Sequence, residues 1–312
     1  MPDHEFGLCL THDVDRPYKS LAQSVYYALR DRSPHHVRDV LGGRNPYWQF
    51  ESVMELESRL GVRSSFYFLT EPHLFSEPPR AWLASRTWIE HLGRYDVREP
   101  ALASVARDLD EGGWEVGIHG SRAAEGDRDR LRLEKKRLQN VLGRAVLGGR
   151  QHYLSLSVPE TWRHYRAVGL SYDASLGSRT DPGFQHGYDV LRPFDDEFAV
   201  FPLTLMETML PDPAERWAAA RDILESLLQE ARANDAVMTV LWHPRYFAER
   251  DFPGYGRAYR WLVERALELD AWVGSPGEYY DAFLRGDADA VSGRVELLEG
   301  YAADNKARSG GT

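Results

Sequence analysis

The sequence predicts an α/β fold organised around a parallel sheet, on three observations. Short apolar runs alternate along the whole chain with longer stretches of helical period, the pattern of repeated strand–helix units. No change of composition marks a second kind of domain. The 312 residues, 43% hydrophobic and 28% charged, suit one large barrel with insertions and exclude a wholly disordered, collagen-like or coiled-coil chain.

About eight strands are expected, in order. Phe6–His12 is the first, Val62–Leu69 the second and Trp114–His119 the third. Ala145–Gly149, Leu170–Ala174, Phe198–Glu207, Ala236–Trp242 and Ala271–Gly274 follow. Each is a short apolar or β-branched run bounded by turn residues.

The intervening helices are read from their ends, where a side-chain oxygen satisfies amides that the helix leaves unpaired. Asn45 with Pro46 is expected to open a helix to Leu60, with Gly61 as its stop. Leu131, Leu138, Val141 and Leu142 form the apolar stripe of a charged helix that ends at Gly143. Ser157 with Glu160 reads as a capping box, Asp212-Pro213 with Glu215 opens a long helix to Ala233, and Ser275-Pro276 with Glu278 opens the last. Two connections, Val14–Arg44 and Thr70–Glu99, are too long for plain turns and follow the carboxyl ends of strands, where barrels build their sites. Residues 1–285 are expected to form one domain and 286–312 a loosely ordered tail.

Charge and cysteine usage restrict the chemistry. A formal charge of -10 disfavours general attraction to nucleic acid or anionic membrane. Cys9 is the only cysteine, so an internal disulfide, an iron–sulfur cluster and a Cys-built zinc site are excluded, and any metal must sit on His, Asp or Glu. No signal-like leader and no run of about 18 apolar residues occurs, so the expectation is a soluble, cytoplasmic chain with no integral membrane segment.

Four strand ends carry the residues that could react. In Leu10-Thr11-His12-Asp13-Val14-Asp15, alternation sends Thr11 and Asp13 to one face and Leu10 and His12 to the other, with Asp15 in the turn beyond. His119 ends the third strand beside Gly120, where backbone can approach a substrate closely. Arg150-Gln151-His152-Tyr153 follows the fourth, offering a fixed cationic fork and another imidazole. Val237–His243 delivers His243 to a strand terminus. Taken singly, the acids have an explanation in turn and cap chemistry, His119 as a hydrogen-bonded core histidine and Arg150 in a strand-end ion pair, while His243 is hard to explain by packing alone. Together, Asp13, His119, Arg150 and His243 stand at carboxyl ends that converge on one mouth if the strands close into a barrel.

At these residues the chain resembles the polysaccharide deacetylase family, the NodB-homology enzymes with a distorted (β/α) barrel of seven or eight strands. Family members begin with Thr-Phe-Asp-Asp-Gly, and Thr11-His12-Asp13-Val14-Asp15 stands here. The resemblance implies Asp13 as catalytic base. The metal-binding Asp has become Val14, with Asp15 its replacement. His119 matches the first histidine of the His-Ser/Thr-x-x-His motif, while the second falls on Ala123. Arg150-Gln151-His152-Tyr153 corresponds to Arg-x-Pro-Tyr, which implies that Arg150 orients the base. Leu241-Trp242-His243 matches Leu-x-His and implies His243 as catalytic acid. The family's fourth motif is not recognisable, Tyr172-Asp173 matching its acid only loosely.

The implied reaction is hydrolysis of an N-acetyl group on an amino sugar or oligosaccharide, with a divalent metal ion, Zn²⁺, on Asp15, His119 and a third ligand, His152 or His12. Tyr153, through its backbone N–H, and Trp48, Trp242 and Tyr246, through their rings, are the expected substrate contacts, although packing around the barrel rim is the favoured account of such rings. The altered ligand set keeps two alternatives open. One is a glycan-binding relative without turnover, and the other is a related hydrolase of an ester or another C–N bond.

Overall fold

Nine strands line up in a curled, parallel sheet in the computed structural model, which describes residues 4–285 apart from 31, 44, 71–94 and 195. They are β1 (Phe6–Val14), β2 (Ser65–Leu69), β3 (Glu115–Gly120), β4 (Gly148–Gln151), β5 (Tyr172–Asp173), β6 (Ala199–Val200), β7 (Leu203–Met206), β8 (Val237–Leu241) and β9 (Ala271–Gly274). The spatial order is β6-β5-β4-β3-β2-β1-β8-β7, with β9 paired to β1. The expected tail, 286–312, and most of the Thr70–Glu99 connection lie outside the described residues.

β1 is the spine. One edge pairs with β8 from Gly7 to Thr11, while the other pairs with β9 along Phe6–Cys9 and then with β2 along Thr11–Val14. All nine of its residues are buried. Such a strand needs apolar residues on both faces unless its polar side chains find internal partners. Thr11, His12 and Asp13 do find them, as described below.

The sixth expected strand, Phe198–Glu207, is two strands because Pro202 has no N–H to give to the ladder. On either side of it, Phe201 N donates to Asp173 O at 2.8 Å and Leu203 N to Leu176 O at 2.7 Å, which carries the chain onward without that donor.

Several helix starts differ from expectation for a common reason: the capping side chain is used elsewhere. Asn45 does not cap a helix. Its Oδ1 accepts from Lys19 N at 3.1 Å and Tyr47 N at 3.2 Å, and its Nδ2 donates to Pro17 O at 2.6 Å. The helix begins at Phe50 and ends at Leu60, where Gly61 takes the left-handed conformation with φ of 73°. Ser157 donates to Glu125 Oε1 at 2.7 Å, and the helix there spans Glu160–Ala167. Asp212 accepts from Ala214 N at 2.8 Å within the preceding turn, so the long helix starts only at Trp217 and runs to Ala233. Ser275 behaves as expected, accepting from Glu278 N at 3.0 Å.

The Val14–Arg44 excursion contains two helices, α1 (Leu21–Arg30) and α2 (His35–Leu41), and the Phe50–Leu60 helix is α3. The remaining long helices are α4 (Pro100–Glu111), α5 (Arg128–Leu142), α6 (Glu160–Ala167), α7 (Trp217–Ala233) and α8 (Tyr255–Glu268). No helix among the described residues is long and apolar enough to cross a membrane.

Glycine sets the spacing of the β3–β4 pair. A Cβ at Gly149 would lie 1.9 Å from Ile118 O, and one at Gly148 would lie 2.3 Å from the Tyr172 ring. Gly149→Ala is therefore expected to cost about 3 kcal/mol or to prevent folding. Gly126→Ala, with nothing within 4 Å of the new methyl, should change stability by less than about 0.5 kcal/mol. Urea denaturation midpoints of the two variants check this.

Candidate active site

β1 presents Thr11 and Asp13 on its inner face, and Arg150, from the end of β4, reaches both. Arg150 Nη1 donates to Thr11 Oγ1 at 2.8 Å and to Asp13 Oδ1 at 2.9 Å, while Nε donates to Ala174 O at 2.7 Å. The guanidinium is wholly buried and lies over the Tyr67 ring at 5.2 Å. Thr11 in turn donates to Val240 O at 2.7 Å, tying the pair to β8. Burial alone would raise the Asp13 pKa, but Arg150 foremost, with His119 and His243, brings it below the ordinary carboxylate value. Asp13 is thus an ionised carboxylate with one oxygen committed.

Its other oxygen faces His119. The Nε2 of that imidazole lies 3.8 Å from Asp13 Oδ2. His119 Nδ1 is 3.0 Å from the Arg150 carbonyl, an acceptor only, so Nδ1 carries the proton and the Nε2 lone pair is turned toward Asp13. Burial, chiefly, lowers the His119 pKa and favours this neutral form. A lone pair opposite a carboxylate, with no proton between them, calls for a cation or a water there. On that observation the residues fit a divalent metal.

The rest of the expected ligand set is less closed. His152 stands with its ring 4.9 Å from that of His119 and stacks on Tyr153 at 4.0 Å. Tyr153 and Leu154 have φ of 62° and 53°, in the left-handed region, at a cost of order 1 kcal/mol each. Asp15 forms an ion pair with Arg245, whose charge opposes the burial penalty and drives the carboxyl well below its usual range. Among the described residues, the set of three His, Asp or Glu ligand atoms lying within 4.8 Å of one another is His35, His36 and Asp251, not Asp15, His119 and His152. The expected trio is not drawn together, because Asp15 is held by Arg245.

The His35, His36 and Asp251 cluster could hold a metal ion, but a lysine already supplies the cation. Lys19 Nζ lies 2.8 Å from His36 Nδ1 and bonds Asp251, while His36 Nδ1 lies 3.1 Å from Asp251 Oδ1. This buried clamp fastens the α1–α2 excursion to the loop after β8.

His243 follows β8 and is positioned by a residue with no role in the sequence reading, Glu207. His243 Nδ1 donates to Glu207 Oε1 at 2.7 Å, and its backbone N donates to Glu207 Oε2 at 3.3 Å. Burial would lower the His243 pKa, but Glu207, with help from Asp15, raises it above the ordinary value. Glu207 sits just beyond β7 and is fully buried. The expected run to Glu207 ended on this residue, and a buried acid at a strand end was the only signal available. Asp173 pairs instead with Trp162 Nε1 at 3.0 Å and with Ser175, and burial pushes its pKa up to about 6.

Asp13, Asp15, Tyr47, His243 and Arg245 line one narrow cleft, whose interior of about 10 Å³ has room for a single water at most. Tyr47 and Arg245 were not foreseen as lining residues. Three expectations fall on the wrong side of the sheet or away from the cleft. His12, offered as a third ligand, points outward, with Nδ1 donating to Trp242 O at 2.5 Å and Nε2 3.0 Å from Glu57 Oε1. Trp242 is completely buried against Tyr255 and Tyr259 and cannot stack on a sugar. Trp48 is half-buried against Tyr18 and Phe50 and does not line the cleft. Tyr246 packs on Phe252 and Tyr255, with its ring 6.3 Å from that of His243, and Tyr153 is 40% exposed.

The outward His12 belongs to a buried polar hub. Glu57, on α3, also accepts from Tyr259 Oη at 2.5 Å, Trp114 Nε1 at 2.7 Å and Ser64 Oγ at 2.8 Å. Glu57→Ala would strand these donors and is expected to cost about 3 to 5 kcal/mol, read as a lowered thermal and chemical denaturation midpoint.

No protein-family model matches the chain, and no curated protein matches it. Solved structures do. One is a Mycobacterium smegmatis protein provisionally assigned as a polysaccharide deacetylase, 18% identical, with TM-score 0.57 over 89% of this chain and 90% of that one. The Puue allantoinase is 13% identical, with TM-score 0.55 over 89% and 90%. A Pseudomonas aeruginosa PAO1 protein with the same provisional deacetylase assignment is 13% identical, with TM-score 0.54 over 90% and 91%. At these identities the likeness is one of architecture. The curled parallel sheet and its helices are the (β/α) barrel fold of the polysaccharide deacetylases.

Proposed function

We propose that the protein is a metal-dependent hydrolase that removes the N-acetyl group from an amino sugar of a glycan or glycan precursor. One observation carries this reading: Asp13 and His243 line the same cleft, and each has a dedicated buried partner, Arg150 for the acid and Glu207 for the imidazole. That is a base and an acid with environments that set them apart.

Asp13 accepts a proton at Oδ2, since Oδ1 is committed to Arg150. Its lowered pKa keeps it ionised throughout the neutral range. His243, with Nδ1 donating to Glu207, holds its second proton on Nε2 for the departing nitrogen. A divalent cation such as Zn²⁺ on His119 Nε2, joined by His152 and by Asp15 once that carboxylate is released from Arg245, would supply Lewis-acid polarisation and a more acidic water. Tyr153 and Tyr246 are the proposed contacts on the sugar side. An allantoinase, named for a substrate that is not a sugar, shares the fold, and this favours as second reading a hydrolase of another carbon–nitrogen bond.

Acetate release from N-acetylated oligosaccharides tests the first reading. Asp13→Asn and His243→Ala should each lower turnover by at least about 100-fold. Full activity in both variants would overturn the assignment, and release of product only from non-sugar amides would favour the second reading. The pH profile tests Glu207. Because its carboxylate raises the His243 pKa, the acid form persists to higher pH in the parent protein. In Glu207→Gln the alkaline limb of kcat/KM should move to lower pH.

A further inference from the structure

Among the described residues, most of the large exposed apolar side chains lie on one pair of helices. Leu21, Val25, Tyr26 and Leu29 of α1 are 49%, 43%, 62% and 76% exposed, and Leu41, at the end of α2, is 72% exposed. Leu21, Val25 and Leu29 recur every fourth residue and so form one stripe along the helix. Among the residues of α1, only Ser24 is buried, so the stripe is not packed into the core formed by the described residues.

The stretch of sequence that carries this stripe is basic, against the charge of the chain as a whole. Over 16–44 the sequence contains Arg16, Lys19, Arg30, Arg32, Arg38 and Arg44 against Asp31 and Asp39, in a protein whose formal charge is -10. Asp39 is neutralised by Arg250 at 2.8 Å, and Lys19 is taken up in the buried clamp with Asp251. Arg32 and Arg38 are exposed, and Arg30, also exposed, lies over the Tyr27 ring at 4.5 Å.

We infer that the α1–α2 hairpin docks the protein onto an anionic lipid surface. Leu21, Val25 and Leu29 would enter the headgroup–acyl boundary, Tyr26 would sit at the interface, and the arginines would meet lipid phosphates. Charge complementarity selects this occupant. A second copy docking through the same face would set arginines against arginines, whereas an anionic bilayer answers both the stripe and its basic flank. The hairpin leaves directly from β1 beyond Asp15 and is clamped to the loop after β8, so docking would set the cleft close to the membrane. The inference does not depend on which bond the cleft hydrolyses.

Flotation of the full chain with phosphatidylcholine vesicles containing about a third phosphatidylglycerol tests it. The protein should partition onto these vesicles, release as salt is raised, and bind phosphatidylcholine alone at least about tenfold more weakly. Arg30→Gln and Arg32→Gln should each weaken partitioning about fivefold. The Val25→Asp/Leu29→Asp double variant should abolish it, whereas Leu133→Asp, an exposed leucine on α5, should not. Circular dichroism confirms that the variants remain folded, and the salt series on the unmodified chain needs no variant. Absence of the parent protein from anionic vesicles would overturn the inference, as would partitioning unchanged by Val25→Asp/Leu29→Asp. A lipid-free dimer dissolved by that double substitution would identify a second copy as the occupant and overturn it equally.

Discussion

A guanidinium sealed from water at the centre of the barrel has to be matched where it lies, and the arrangement of the site follows from that need. Arg150 Nε and Nη1 are answered by the Ala174 carbonyl, Thr11 and Asp13, so β4 is joined to β1 and to the segment after β5 by charged or polar contacts rather than by packing alone. The same backbone that positions Arg150 also fixes His119, whose Nδ1 donates to the Arg150 carbonyl. One residue therefore sets the charge state of the carboxylate and, through its main chain, the tautomer of the facing imidazole. A buried charge is costly to desolvate, and tolerance of it here is repaid in geometry.

Much of this was legible in the sequence because strand periodicity is a local property. The alternation Leu10, Thr11, His12, Asp13 correctly separates inner from outer face, and it is the reason His12 ends on Glu57 rather than beside Asp13. The convergence of Asp13, His119, Arg150 and His243 follows from strand ends meeting in a barrel. What escaped was set by long-range pairing. Glu207 and His243 are separated by 36 positions, and Arg245 reaches Asp15 across 230. Nothing local distinguishes a capping Asn45 from one that ties down a loop, or a stacking Trp242 from one walled in by Tyr255 and Tyr259.

Net charge teaches a related lesson. A chain-wide excess of acids disfavours anionic partners on average, yet a potential is felt over about 10 Å, not over a whole protein. Arginines gathered on one exposed hairpin act on what lies beside them, and acids elsewhere are largely screened.

The way β1 shares its edge has an architectural consequence. β9, the last strand, covers only Phe6–Cys9, while β2 covers Thr11–Val14, so floor and rim of the same strand are laddered to segments from opposite ends of the chain. Injury to the C-terminal portion of the polypeptide would unzip the floor first. The Asp13 carboxylate stands on the half laddered to β2, beyond β9, while Thr11 beside it remains tied to β8.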